Sequence, residues 1–253
     1  MVSAETDLSS EDFFSLQLKR NIKHRVNLLP TITKESLSYP KEIIDEYLKW
    51  EVGSIPLRYV NRLGRADKIW REIGYTPEEF NKFWEESMEY ILELNKRGIN
   101  LAERTALVML KKIFKKEDPG YVDLCSPCGA GRNVLTYMPN GDIYSCDEAR
   151  MIRSSMFKLG NVKKDKYSEV TRNPNIFYIL GSSLLDFWDY NSAYAIWSGT
   201  CPVLNYYEQE NVVVKIRQTS RYKIYDFQFN YLFKKIAKDK EAVRIFRRWV
   251  ETH

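Results

Sequence analysis

Histidine is nearly absent from this sequence of 253 residues; only His24 and His253 occur. It is the side chain whose ordinary pKa suits proton transfer near neutrality. Acid–base chemistry here therefore falls to Cys, Asp, Glu, Tyr or Lys. A long apolar run is also lacking. The most apolar stretch, Ile176 to Trp188, is broken by Gly181, Ser182, Ser183 and Asp186. A spanning helix needs about 20 apolar residues, so no membrane span is expected. Residues 1–14 carry Glu5, Asp7, Glu11 and Asp12, with no basic start and no apolar centre. That pattern argues against a secretory signal and for a cytoplasmic chain with reduced cysteines. Charge of one sign is scarce too. Lys+Arg 39 less Asp+Glu 34 leaves +5, too little over this length to mark a nucleic-acid binder. There is no internal repeat and no low-complexity tract.

What is present is ordinary globular composition, 44% hydrophobic and 29% charged, enough for one large domain or two modest ones. Residues 8–25 read as an amphipathic helix. Strand and helix then alternate. Val26 to Thr33 is a strand candidate, and Pro40 to Trp50 a helix with proline at its first turn. Gly53 to Val60 is a second strand. Ala66 to Gly74 and Thr76 to Arg97 are helical. The latter opens with Thr76, Pro77 and Glu79 as a capping box and closes at Gly98. Ile99 to Ala102 is a third strand and Leu107 to Lys116 a helix. Such an order implies parallel strands with crossover helices, but three strands cannot close an eight-stranded barrel. After Asp118-Pro119-Gly120 the character changes. Asn133 to Met138 and Asp142 to Cys146 alternate as strands around Pro139-Asn140-Gly141, a hairpin signal. Helices are expected over Lys164 to Arg172 and part of Asn175 to Leu185, and one long helix over Tyr225 to Val250.

Four cysteines occur: Cys125, Cys128, Cys146 and Cys201. Cys125 and Cys128 form a C-x-x-C beside Gly129 and Gly131, suited to a loop around an ion or cluster. If Asn140-Gly141 closes a hairpin, Cys146 lies near residues 133–135, close to Cys128. Cys201 arrives from elsewhere. Four thiolates hold either Zn²⁺ or a [4Fe–4S] cluster. Four unrelated buried thiols are the plain alternative.

The stretch from Cys128-Gly129-Ala130-Gly131-Arg132 through Pro139-Asn140-Gly141-Asp142-Ile143-Tyr144-Ser145-Cys146 to Phe157-Lys158-Leu159-Gly160-Asn161-Val162 resembles the SPASM domain. That domain is the C-terminal extension of radical SAM enzymes that modify peptides and proteins. Twelve residues separate Cys128 from Gly141, and four separate Gly141 from Cys146, within the family pattern. Cys201-Pro202-Val203-Leu204-Asn205-Tyr206 and Ala102 to Asp123 are similar to radical SAM maturases of the His-Xaa-Ser peptide system. The resemblance covers about residues 26–250. It implies an α/β fold: an incomplete, partial TIM-like β/α barrel over 26–120, then a SPASM-type α+β domain over 121–253 with a β-hairpin and a C-terminal helix. Residues 1–25 are an N-terminal extension.

The resemblance also implies the ligand set. One auxiliary [4Fe–4S] cluster falls on Cys125, Cys128, Cys146 and Cys201, with Zn as the alternative. The family's second auxiliary cluster has no cysteines here, since its positions fall on Trp188, Asn191, Trp197 and near Tyr222. The C-x3-C-x2-C that binds the S-adenosylmethionine-cleaving cluster does not occur in these residues. The implied function is a truncated or split peptide or protein maturase component that does not cleave S-adenosylmethionine alone. A peptide or protein is its substrate, and a partner subunit supplies the missing half barrel. Asp147, where related enzymes place a proposed general base, is the candidate proton acceptor; a structural pair with Arg132 or Arg150 is the alternative. Arg58 is a candidate for a substrate carboxylate, or for an ordinary ion pair. His24 reads as a surface residue.

Competing readings are a non-catalytic peptide-binding protein using Tyr206, Tyr207 and the aromatic run Phe187 to Trp197, a zinc-binding nucleic-acid-associated protein using the basic tail (Lys234, Lys235, Lys238, Lys240, Arg244, Arg247, Arg248), and a degenerate gene product. Asp239 and Glu241 dilute that tail, so nucleic acid is not the expected partner.

Overall fold

The computed structural model describes residues 29–117, 120, 124–185, 194 and 199–253. The expected helix over 8–25, His24, the start of the first strand and most of the aromatic run 187–197 lie outside the described residues.

The chain is a mixed α/β protein, mostly helical, with small sheets. Its described part begins with β1 (Thr31–Ile32), α1 (Pro40–Lys49), β2 (Ser54–Ile55) and β3 (Arg58–Tyr59). Next come α2 (Arg65–Lys68), α3 (Trp70–Ile73), α4 (Pro77–Lys96), β4 (Ala102–Glu103) and α5 (Arg104–Lys115). β1 pairs in parallel with β3, and β2 pairs in parallel with β4. β2 and β3 are two halves of one extended segment interrupted at Pro56, which has no N–H for a ladder. That segment therefore lies between β1 and β4 and changes partner along its length. The expected parallel strands with crossover helices are present, though each paired stretch is only two residues long.

Glu103 explains how the segment changes partner without an unsatisfied amide. It ends β4 and caps α5. Its buried carboxylate accepts the Ala106 N–H at 2.6 Å and the Leu57 N–H at 3.2 Å. Leu57 sits between the two paired stretches, so a side chain supplies the acceptor that the ladder does not. The same cap starts α5 three residues earlier than the sequence suggests.

α4 is built as its sequence predicts. Thr76 Oγ1 accepts the Glu79 N–H, and Glu79 accepts the Thr76 N–H at 2.7 Å. Its inner face buries Phe80, Phe83, Trp84, Met88, Ile91 and Leu92, each contributing about 1.5–3 kcal/mol of apolar transfer. Gly98 adopts φ 92° just beyond the helix end, a conformation glycine takes without strain.

The second half contains β5 (Thr136–Tyr137), β6 (Asp142–Tyr144), α6 (Asp147–Ile152), β7 (Lys158–Asn161), α7 (Tyr167–Val170), α8 (Pro174–Leu185) and α9 (Pro202–Gln209). β5 and β6 form the expected antiparallel hairpin around Asn140-Gly141, and β7 adds a third antiparallel strand on the other side of β6. The chain ends with α10 (Ser220–Lys238) and α11 (Lys240–Thr252). The single long tail helix is thus corrected to two. Asp239 leaves helical geometry at φ −124°, ψ 97°, and its carboxylate accepts the N–H groups of Glu241 and Ala242. Aspartate competes for backbone donors in this way and starts a new helix.

The main core joins α1, α4, α5, α10 and α11 around Trp84, Phe229, Phe246 and Trp249. A second core gathers Leu63, Cys128, Tyr144, Cys146, Phe157, Cys201 and Leu204. Ile143, Leu159, Val170 and Ile176 form a small third cluster behind the hairpin sheet. No helix among the described residues is long and apolar enough to cross a membrane.

Candidate cysteine site and adjoining cleft

The four cysteines come from three separate loops, and local structure brings those loops together. Thr136 lies opposite Tyr144 in the hairpin, which places Cys146 opposite Val134. The turn after Cys128 then closes onto that strand. Gly131, at φ 80°, donates its N–H to Val134 O at 3.0 Å and to Ser145 O at 2.8 Å. The Cys128 N–H donates to Ser183 Oγ at 3.0 Å, and Ser183 Oγ donates in turn to Leu180 O at 2.7 Å. Helix α8 thereby fixes the C-x-x-C loop. Cys201 reaches the site through Gly199. An added Cβ at Gly199 would overlap the carbonyl oxygen of Cys125, so only glycine lets the two loops meet.

All four thiols are buried. Burial pushes the Cys146 thiol far above its ordinary value; Cys201, Glu148 and Cys128 act in the same direction, and the Ala149 N–H opposes them. Cys128, Cys146 and Cys201 share one buried core. A buried sulfur cluster of this kind favours neutral thiols until a positive centre claims the protons, and a coordinating thiol is deprotonated outright.

Among the described residues no group of three or more His, Cys, Asp or Glu side chains closes tightly enough to hold a single metal ion. Tetrahedral zinc with bonds near 2.3 Å would set its sulfurs about 3.8 Å apart. Ser145 Oγ and Thr200 Oγ1 are buried without a hydrogen-bond partner among the described residues, and each belongs to the residue directly before a cysteine. Buried hydroxyls are otherwise almost always satisfied. In donor chemistry alone, four cysteines are the set that an iron–sulfur cluster takes.

Asp147 follows Cys146 as the first residue of α6. Its carboxylate accepts Arg150 Nε at 2.6 Å in an exposed pair one helical turn apart. Arg58 lies on β3, half-buried, beside Thr105, Tyr225 and Gln228. Tyr206 packs edge-on against Phe157, with ring centroids 5.6 Å apart. Tyr207 donates its hydroxyl to Asp67. The basic tail is partly engaged within the molecule. Lys235 pairs with Glu89 at 2.7 Å, Arg248 donates to Asn95 Oδ1 at 2.7 Å, and Arg247 lies over the Phe114 ring.

Sequence reasoning missed a cleft of about 460 Å³ beyond the end of β3. Tyr59, Trp70, Tyr75 and Tyr207 line it, with Leu204 and Glu208 from α9 and Ser220 and Ile224 from α10. Several of its polar groups already have partners. Tyr75 Oη donates to Ile32 O and accepts the Val60 N–H, while Arg62 pairs with Asp67 at 2.9 Å and covers Trp70. Glu208 accepts the Ser220 hydroxyl and N–H. The walls mix aromatic rings with polar groups. Helix α9, which begins right after Cys201, forms one of them, so the cleft and the cysteine site share an element. The aromatics are dispersed along the sequence and carry no spacing signal.

No protein-family model matches the sequence, and no curated protein does. Solved structures do match. An anaerobic sulfatase-maturating enzyme of radical SAM/SPASM type, anSMEcpe, with bound AdoMet and the Kp18Cys peptide, superposes with a TM-score of 0.67 at 14% identity, over 90% of this chain and 61% of that one. A histidine-tagged form of that enzyme with bound AdoMet gives 0.66 at 15% identity, over 96% and 62%. The form with AdoMet and the Cp18Cys peptide gives 0.67 at 14%, over 90% and 61%. The chain thus shares the fold of these structures over most of its length and spans about three-fifths of theirs, consistent with the expected C-terminal half.

Proposed function

We propose that this chain is a component of a peptide- or protein-maturing system, holding one [4Fe–4S] cluster through Cys125, Cys128, Cys146 and Cys201. The packing of Cys128, Cys146 and Cys201 in one buried core, with the Cys125 carbonyl against Gly199 of the Cys201 loop, supports this reading. A bound cluster supplies one-electron transfer. The chain's own residues exclude water from it through Phe157, Leu204 and Tyr144. They also hold the Cys201 loop against Cys125 through Gly199.

The three parallel segments β1, β2–β3 and β4 are read as part of a β/α barrel. Its remaining strands, and the C-x3-C-x2-C that cleaves S-adenosylmethionine, come from a partner segment or subunit. The aromatic cleft beside α9 takes the peptide; a crevice beyond the carboxyl ends of parallel strands is where α/β sheets bind ligands. Asp147 stays the candidate proton acceptor, with Arg150 holding its carboxylate until substrate displaces it.

The test is anaerobic reconstitution of the full chain, with iron, sulfide and zinc measured beside Cys146→Ala and Cys201→Ala. About four irons and four sulfides per chain are expected, lost in both variants. Zinc without sulfide, or no metal, overturns the assignment.

A further inference from the structure

The cleft beyond β3, about 460 Å³, has the size of a ligand site. Two of its lining residues are charged, Arg62 and Glu208, and they differ in how that charge is compensated. Arg62 Nε pairs with Asp67 at 2.9 Å, and its guanidinium lies over the Trp70 ring at 5.8 Å. Its charge is balanced, and the stacking shows that a wall of the cleft accepts a guanidinium. Glu208 is exposed. Its carboxylate accepts the Ser220 N–H at 3.2 Å and the Ser220 hydroxyl. Both donors are neutral, and no cation pairs with Glu208 among the described residues. At the rim, Lys223 pairs with Glu78 at 3.1 Å, so those two add no net charge. Burial and the bond to Asp67 raise the Tyr207 hydroxyl above its ordinary range, and Glu208 adds to that shift, so its charge is felt at this wall. The cleft thus holds one carboxylate in excess, beside rings whose faces carry negative potential.

We propose that this cleft selects peptides by a cationic group, a guanidinium or an ammonium, with Glu208 as the residue that determines the preference. The inference rests on the reading of the cleft as the peptide's site and makes no use of the cysteines. A cation entering the cleft meets the Glu208 carboxylate and nearby ring faces, and both attract it. An acidic side chain meets like charge at the same place. Because Glu208 is exposed, the preference is modest, about fivefold to tenfold in affinity. Arg62 does not oppose it, since Asp67 already balances that charge.

The test uses the full chain and acetylated peptide amides of the form Ala-Leu-Xaa-Leu-Ala, with arginine, lysine, citrulline or glutamate at the central position. Binding is titrated by nuclear magnetic resonance of the peptide. The arginine and lysine peptides are expected to bind about fivefold to tenfold more tightly than the citrulline peptide, which keeps the shape and lacks the charge. The glutamate peptide is expected to bind most weakly. A citrulline peptide with a free N-terminus separates a terminal ammonium from a side-chain cation as the group recognised. Glu208→Gln keeps an acceptor for Ser220 and is expected to erase the preference for arginine over citrulline, whereas Glu208→Asp should retain it. The preference is a ratio of affinities within one variant, so a general loss of binding does not imitate its loss. It is also expected to fade as salt is raised. Equal affinities for cationic and neutral peptides, or a preference that persists in Glu208→Gln, overturn this proposal and leave the cleft as the peptide's site. If none of the peptides binds, both fall.

Discussion

Glu103 shows how one side chain replaces part of a sheet. The β2–β3 segment changes partner between Ile55 and Arg58, and the Leu57 N–H in between is accepted by Glu103 Oε1. The other oxygen takes the Ala106 N–H and starts α5. Burial holds this carboxyl above its ordinary range, against the pull of the Ala106, Thr105 and Leu57 amides. Between the unfolded and folded values the folded chain keeps a proton that the unfolded chain has released. Stability therefore declines as pH rises through that window. Glu103→Gln, which does not titrate, is expected to flatten the decline in urea midpoints measured from acid to neutral pH. Glu103→Ala leaves two buried amides without an acceptor and is expected to cost about 2–3 kcal/mol. An unaltered pH profile in Glu103→Gln would show that another group titrates there. None of this was legible in the sequence, where Glu103 was simply a polar residue after a short apolar run. Its role depends on Leu57, 46 positions away.

At the scale of elements, local chemistry decided what could be read. The Thr76-Pro77-Glu79 start and the Asn140-Gly141 hairpin are short-range signals, and both form as expected. β7 lacked such a signal. It pairs with β6 across a register irregularity between Ile143 and Tyr144, so no simple alternation marked it. The tail misled for the opposite reason. Its apolar spacing runs on through residues 225–250, and periodicity alone does not register a break that a single aspartate creates. Asp239 caps α11 through the Glu241 and Ala242 amides. Asp239→Ala is expected to lower stability by about 1 kcal/mol, the usual cost of a lost cap. Asp239→Asn or Asp239→Ser should recover most of it in the same thermal melts. An alanine variant as stable as the parent would place the break in the packing of α10 and α11 rather than in the cap. The cysteine site was legible to a similar degree. The hairpin led to the expectation that Cys146 lies close to Cys128, and the two share one core, whereas the approach of Cys201 depends on Gly199 meeting Cys125, a contact no spacing encodes.

Across the whole molecule the two large cores have different sources of stability. The main core is tied together over long sequence distances. Trp249 is fully buried and donates Nε1 to Asn95 Oδ1 at 3.0 Å, while Asn95 Nδ2 donates to Ile91 O and to Leu101 O. One amide thereby joins the end of α4, the entry to β4 and the last helix through side-chain and backbone groups alone. The second core is smaller. It encloses buried thiols and is bounded by short strands and loops. An occupant bound only by the folded site stabilises that part of the structure by mass action, and opening need not be uniform across a chain. Amide hydrogen exchange is therefore expected to find Phe80–Leu110 and Ile224–Val250 strongly protected in cluster-free protein. The segments around Cys125–Cys146 and Cys201–Gln209 should exchange faster there and gain protection on loading with iron and sulfide. Cys146→Ala should abolish the gain and leave the main core unchanged. Uniform protection before and after loading would mean that the cysteines are packed as ordinary buried side chains and that the second core needs no occupant.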